Sequence, residues 1–487
     1  MAILFPATAE FIGALYAPCR FEGSVNDLEV EGTVPTELEG TFIQVAPDPA
    51  YPPMLANDIF FNGDGAVTAF RFSGGHVDFQ RRYVETDRLK AHRAARRSLH
   101  GIYRNPFTDD PAVAGASATT ANTNVIAFGD HLLALKEDSL PVALDPVTLE
   151  TIGNWDFAGQ IGDGPFTAHP KRDPEDGSLL AFGYEARGIA SRDIVYYEFD
   201  AIGCKRRETW VEAPYAGMVH DFAVTPNFVI FPVLPATADL ERIMAGGRHF
   251  EWQAELDFQF GIMRRGGDGS DIRWLKAPNC FQAHVLNAFE TGDLIHLDMP
   301  SASGNVFPFF PEANGSSPLA HELHYELTRW TFDLANPGEP PLRTTLYDAP
   351  CEFPRCDERV VGRPYRHAIM LGCNMRLFAS ERMGPPPWQF FNQLVRLDLS
   401  TGLAESWCGG DAECFQEPTF VPRGPSAAEG DGFILALLNH LESATTELVI
   451  LDTRDIAQGP VATVRLPLRL RMSLHGSWVA TPPFPKP

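Results

Sequence analysis

Short runs of apolar and aromatic residues, each stopped by an Asp- or Gly-bearing turn, recur along the whole chain, and this recurrence limits what the chain can fold into. "TFIQVA", "NVIAFGDHLLALKE", "LLAFGYEA", "FVIFPVL", "GFILALLNH" and "ELVILDT" have the length and composition of strands. Between such runs lie "GD", "DPVT", "DPEDGS", "LSTG" and "DTRD". Asp there bonds its own backbone and Gly enters left-handed conformations, so these are bends. "LLALKEDSLPVALDPVTLETIGNWDF" and "QLVRLDLSTGLAESWCGG" read alike as strand, Asp-containing turn, strand. The repetition predicts an all-β fold, a β-propeller with its blades around one axis. At about 40–50 residues per blade, 487 residues accommodate about seven blades. Helical character is confined to insertions. "ATADLERIMAG" (236–246) has the apolar spacing of a short amphipathic helix, and the basic "DRLKAHRAARRSLHG" reads as a solvated loop or helix face. No low-complexity linker divides the chain. Residues 1–487 are therefore expected to form a single propeller domain with cap insertions that include about 90–120 and 235–260.

A net charge of −24 opposes binding to nucleic acid or to an anionic membrane surface. No apolar run approaches the ~18 residues of a membrane span. The opening residues lack a basic stretch before an apolar core, so no secretory signal is expected. Eight scattered cysteines without a CxxC pair resemble neither a zinc site nor a disulfide framework, which favours a reducing cytoplasm.

Histidine is the residue type that points to chemistry. His76 and His131 lie beside turns, and His92, His100 and His249 sit in charged surroundings. "AHELHYE" (His321, His324) lacks the i, i+4 histidine pair that one helical face needs for a metal. His169, His220, His284 and His475 differ from these. Each stands beside small or apolar residues, and three lie close to the start of a strand run. In a propeller the innermost strand of each blade faces the axis, so residues far apart in sequence converge there. A lone buried histidine is ordinarily a core residue bonded to backbone; four converging ones make a metal site. An all-imidazole site suits Fe, Zn, Cu or Ni and leaves the metal open.

"FNGDGAVTAFRF", "TAHPKRDPEDGSLLAFGY", "MVHDFAVTPNFVIFP", "FQAHVLNAFE", "CEFPR", "EPTFVPR" and "LHGSW" occur in this order from about Phe60 onward. In these motifs the chain resembles the carotenoid cleavage oxygenases. The resemblance implies a seven-bladed propeller, with a cap of loops and short helices over an axial site holding one Fe(II) per chain. His169, His220, His284 and His475 are the implied ligands. It also implies glutamates that accept the outer N–H of ligand imidazoles: Glu137 with His220, Glu352 with His284 and Glu417 with His475, leaving His169 without one. The family's "FDGDGM" is "FNGDGA" here, with Asn62 and Ala66, a departure expected to bear on the tunnel wall rather than the metal.

Two residues narrow the substrate. A lysine, Lys136, ends an apolar strand that approaches the cavity, where an unpaired ammonium is costly. With Tyr103 in "LHGIYRNPF", it resembles the pair of the lignostilbene dioxygenases. The implied reaction splits the Cα=Cβ bond of a 4-hydroxystilbene with O2 into two aromatic aldehydes. Lys136 would hold the phenolate and Tyr103 would donate or relay a hydrogen bond. Phe61 and Phe307 match ring-sandwiching positions of that branch, and Thr123 matches a threonine near the open metal position. The branch also implies a homodimer. The rival reading, cleavage of carotenoids or apocarotenoids, calls for an apolar membrane-facing patch, whereas the insertion at 236–256 is rich in charge.

Overall fold

The computed structural model describes residues 4–307, 309–316, 322–336, 338–374, 376 and 391–480. Among them the strands form seven sheets of four to six strands and one two-stranded ribbon. The seven sheets follow one another along the chain as the blades of a β-propeller. The outermost strand of each blade is more exposed than the strands in its middle. In the fifth blade Asn287–Thr291 leads through the largely buried Leu294–Ala302 and Tyr325–Asp333 to Leu342–Tyr347, which is mostly exposed. The outer strand Lys205–Glu212 of the third blade has the in-out alternation of a sheet with one wet face. The strand at the opposite edge lines the axis; in the first blade it is Gly476–Ala480, at the far side of the sheet from Gly23–Val25.

Blades pack face to face through apolar side chains. Phe42, Phe70 and Phe79 of the first blade meet Leu435, Leu448 and Ile450 of the seventh, and Leu133 and Leu135 of the second meet Ala181 and Val195 of the third. Each such side chain stabilises the packing by about 1.5–3 kcal/mol. The ring closes twice. Gly476–Ala480 pairs with Gly40–Pro47 in the first blade, and Val30–Gly32 pairs with Ala462–Arg465 in the seventh.

Two insertions interrupt the blades. The basic segment forms the helix Asp87–Ala95, with Thr86 capping its start through Leu89 N at 3.1 Å. Its expected solvated character holds for one face only. Arg88, Leu89 and His92, one helical turn, are buried. Arg88 donates to Asn62 Oδ1 at 3.1 Å, and His92 Nε2 lies 2.9 Å from His100 Nδ1. Within 236–246 the helix is confined to Leu240–Met244, because Ala236–Ala238 pairs instead with Phe250–Trp252. No helix among the described residues is long and apolar enough to cross a membrane.

Candidate metal centre and adjoining cavity

The four histidines stand at equivalent places in four blades, each just ahead of an innermost strand. His169 precedes Lys171–Arg172, His220 precedes Ala223–Val224, His284 precedes Asn287–Thr291 and His475 precedes Gly476–Ala480. Thr123 takes the same place ahead of Asn124–Phe128 in the second blade. An inner strand that starts near the axis brings the preceding residue to it, and so the ring of blades becomes a ring of side chains.

The Nε2 atoms of His169 and His220 are 3.1 Å apart, those of His220 and His284 3.1 Å, and those of His284 and His475 3.2 Å. All four ligand atoms lie within 4.8 Å of one another. Three outer nitrogens face carboxylates: His220 Nδ1 bonds Glu137 Oε1, His284 Nδ1 lies 2.6 Å from Glu352 Oε2, and His475 Nδ1 lies 2.8 Å from Glu417 Oε1. These are the three pairings expected. A neutral imidazole whose Nδ1–H is donated outward presents a bare lone pair at Nε2. Lone pairs facing one another at 3.1 Å share no proton, and a cation among them resolves the repulsion. Burial and the three other imidazoles push His169 well below the usual histidine range, so it is neutral. The four residues fit a metal ion.

The carboxylates are themselves held. Burial would raise Glu137, but His220, Lys136 and Arg104 together outweigh it and keep the carboxyl at about 2; the Tyr184 hydroxyl donates to its Oε2 at 2.6 Å. Burial likewise opposes Arg355 and His475 at Glu417, which stays at about 2. Arg355 grips Glu417 with two nitrogens at 3.1 and 2.6 Å, and the Gly476 N–H donates to it at 3.0 Å.

Beside the histidines lies a narrow apolar cavity. Phe61, Tyr103, Thr123, Lys136 and Phe307, the five side chains singled out from sequence, all line it together with His220, His284 and His475. Lys136 is 4 % exposed. Its Nζ sits 4.7 Å from the Tyr103 ring centroid, with no hydrogen bond or ion pair among the described residues. Burial lowers its pKa below 10.5, although Asp138 and Glu137 pull the other way. Burial and then Glu137 push the Tyr103 hydroxyl well above 10, so it stays protonated and able to donate. The Phe61 ring packs edge-on to Phe307 at 5.9 Å. Thr123 donates its hydroxyl to Asn122 Oδ1 at 3.1 Å, and its carbonyl accepts from His475 N at 3.2 Å.

Other expectations are corrected. Asn62 and Ala66 do not line this cavity. Asn62 donates to Asp58 Oδ2 at 2.8 Å and to the Gly101 carbonyl at 2.9 Å, and Ala66 is buried against Tyr83 and Leu89. His92, His100 and His249 are buried rather than merely set among charges. His321 lies outside the described residues. The site also contains residues that sequence reasoning missed. Arg104, next to Tyr103, bonds Glu185 Oε2 at 2.5 Å and the Tyr184 hydroxyl, and lies 3.3 Å from Asp138. His249 faces the Arg104 carbonyl at 2.8 Å and Glu185 Oε2 at 2.9 Å. Arg104 and Glu185 both hold φ 53°, a conformation costly for side chains with a Cβ. Arg104's position after Tyr103 was the one available signal.

The retinal pigment epithelial membrane protein family matches residues 16–480 of the chain. Resveratrol cleavage oxygenase 1 of Aspergillus fumigatus is 43% identical over 489 residues, covering 98% of this chain and 96% of its own length. Isoeugenol monooxygenase of Pseudomonas nitroreducens is 44% identical over 483 residues, covering 99% and 100%. Among solved structures, the lignostilbene dioxygenase of Pseudomonas brassicacearum superposes with a TM-score of 0.96 at 52% identity, covering 98% of this chain and 100% of that one.

Proposed function

This chain belongs to the carotenoid oxygenase family described by the retinal pigment epithelial membrane protein, and from that premise we propose that it is a non-haem Fe(II) dioxygenase cleaving the central double bond of 4-hydroxystilbenes. The products are two aromatic aldehydes. The observation that carries the reading is Lys136, a buried amine in an apolar cavity, close to the histidines and without a carboxylate bonded to it. A carotenoid offers such a group nothing. A phenol offers it an anion.

Iron(II) held by the Nε2 atoms of His169, His220, His284 and His475 would bind and activate dioxygen. Glu137, Glu352 and Glu417 fix the tautomer and direction of three of these imidazoles. Lys136, with its proton affinity lowered by burial, takes the proton from the phenol: an O–H bond breaks and an N–H bond forms. The ammonium stays beside the phenolate, and the attraction between them in a dry cavity compensates for the charge. The π face of Tyr103 beneath Nζ supports the same ammonium, while its hydroxyl donates to the phenolate oxygen. Phenolate charge spreads through the ring onto the alkene and makes it electron-rich toward oxygen. Phe61 and Phe307 pack against the substrate rings, and Thr123 bounds the space beside the histidines.

Relatives named for resveratrol, lignostilbene and isoeugenol agree with one requirement, a phenolic ring conjugated to an alkene. The test is anaerobic loading with Fe(II), then aerobic incubation with 4-hydroxystilbene and with 4-methoxystilbene, followed by mass analysis of aldehydes. Two aldehydes from the phenol and almost none from the ether are expected. Equal cleavage of both would remove Lys136 from the chemistry. Turnover of apocarotenoids alone would replace the substrate class.

A further inference from the structure

Glu137 joins the histidines to a second group of buried side chains, none of them a candidate ligand: Tyr184, Arg104, Glu185 and His249. Tyr184 ends the strand Leu179–Tyr184 of the third blade and is 2 % exposed. Its hydroxyl donates to Glu137 Oε2 at 2.6 Å and accepts from Arg104 Nη1. The Arg104 guanidinium is also held by Glu185 Oε2 at 2.5 Å, and it lies 5.0 Å from the centre of the Tyr184 ring. Glu185 is fixed in turn by the Ala190 N–H at 2.6 Å and by His249 Nε2, 2.9 Å from Oε2.

The direction of each bond in this chain follows from what its members can do. A guanidinium has no acceptor, so Arg104 can only donate to the Tyr184 oxygen. Burial holds the Tyr184 hydroxyl well above 10, so it keeps its proton. With its oxygen occupied by Arg104, that proton goes to Glu137. A carboxylate can only accept, so Glu137 Oε1 takes the proton of His220 Nδ1. His220 Nε2 is left bare, facing the Nε2 atoms of His169 and His284 at 3.1 Å.

The other two carboxylates are supported differently. Arg355 and the Gly476 N–H bond Glu417 directly, and Glu352 takes the Phe353 N–H. Glu137 is held at both oxygens, one by the imidazole and one by a hydroxyl that an arginine from outside the blades has oriented. We propose that Tyr184 and Arg104 are positioning residues for the metal centre, which act through Glu137 to hold His220 in the tautomer and direction that bind the ion. This rests on the metal centre proposed above and not on the choice of substrate.

The test uses the full chain and Co(II), added after chelation. Affinity is read by competition with a chelator, and ligand geometry from the visible absorption of the bound ion. Tyr184→Phe removes one oxygen atom and should weaken Co(II) binding about tenfold, with a shifted absorption. Tyr196→Phe is the control: it removes a hydroxyl of the same blade that bonds Glu198 Oε1 at 2.8 Å, and should leave affinity and absorption unchanged. Arg104→Lys keeps the charge but loses the planar fork, and should weaken binding by a similar factor. Since both residues act through one carboxylate, the double variant should lose no more affinity than the weaker-binding single variant. Unchanged affinity and absorption in Tyr184→Phe would overturn the proposal, whatever its Tm, and so would losses that add in the double variant. A parent chain that binds no Co(II) would sink the metal centre itself, and the proposal with it.

Discussion

Lys136 is useful to the reaction for the same reason that it is a burden to the fold. In the unfolded chain it binds its proton near 10.5, and burial lowers that value in the folded chain. Between the two values the unfolded chain carries more protons, so stability rises with pH across that window, and below it the full penalty is present. Lys136→Met removes the penalty while keeping the length of the side chain. Its Tm at pH 7 should exceed that of the parent, the gain shrinking as pH climbs toward 10.5. Cleavage of 4-hydroxystilbene should fall about 100-fold or more. The parent's activity should show a rising limb with a midpoint below 10.5, absent in the variant. A lower Tm at pH 7 in Lys136→Met would mean that the ammonium has a stabilising partner. This residue was legible in the sequence because a charge ending an apolar strand is anomalous on its own. Arg104, Glu185 and His249 were not. They come from two insertions and a blade, and two of them adopt left-handed backbone that no local pattern announces.

At the scale of one element, the strand Cys351–Arg355 supports two of the four histidines. Glu352 accepts from His284, Phe353 stacks 5.3 Å from the same imidazole, and Arg355 holds the Glu417 that accepts from His475. A strict strand would send alternate side chains to opposite faces. Here the register shifts between Glu352 and Arg355, and Phe353 takes φ 49°, which re-aims the chain. Glu352 was found through its motif. Arg355 was missed because strand periodicity assigns it no role. Arg355→Met leaves the Glu417 carboxylate, 3 % exposed, without its cation, at a cost of about 3 kcal/mol. Chemical denaturation should show that loss, and dialysis against chelator should strip metal faster than from the parent. Adding Glu417→Gln to Arg355→Met should restore part of the stability, since the amide carries no charge and its oxygen still accepts from His475. If the double variant is no more stable than the single one, the loss lies in packing rather than in a stranded charge.

Across the whole molecule, His475 stands at the seam of the ring. Its carbonyl accepts from Val45 N at 3.1 Å, and the strand that follows it completes the first blade. The alternation of strands and turns was legible as a propeller. The seam was not, because pairing Gln44 with Gly476 is a contact between opposite ends of the chain. The same topology decides what metal removal does. In small metal domains the ion supplies the folding free energy. Here the apolar clusters between blades and the exchange of Val30–Gly32 into the seventh blade lie apart from the four imidazoles. Chelated protein should therefore keep its far-ultraviolet circular dichroism and a single cooperative melt, at a lower Tm. The ion contributes by mass action, about 4 kcal/mol when free Fe(II) stands at a thousand times Kd. The Tm should rise with the logarithm of free Fe(II) above Kd and return in full on reloading. Loss of the cooperative melt in the chelated protein would show instead that the metal, and not the interlocked ends, closes the ring.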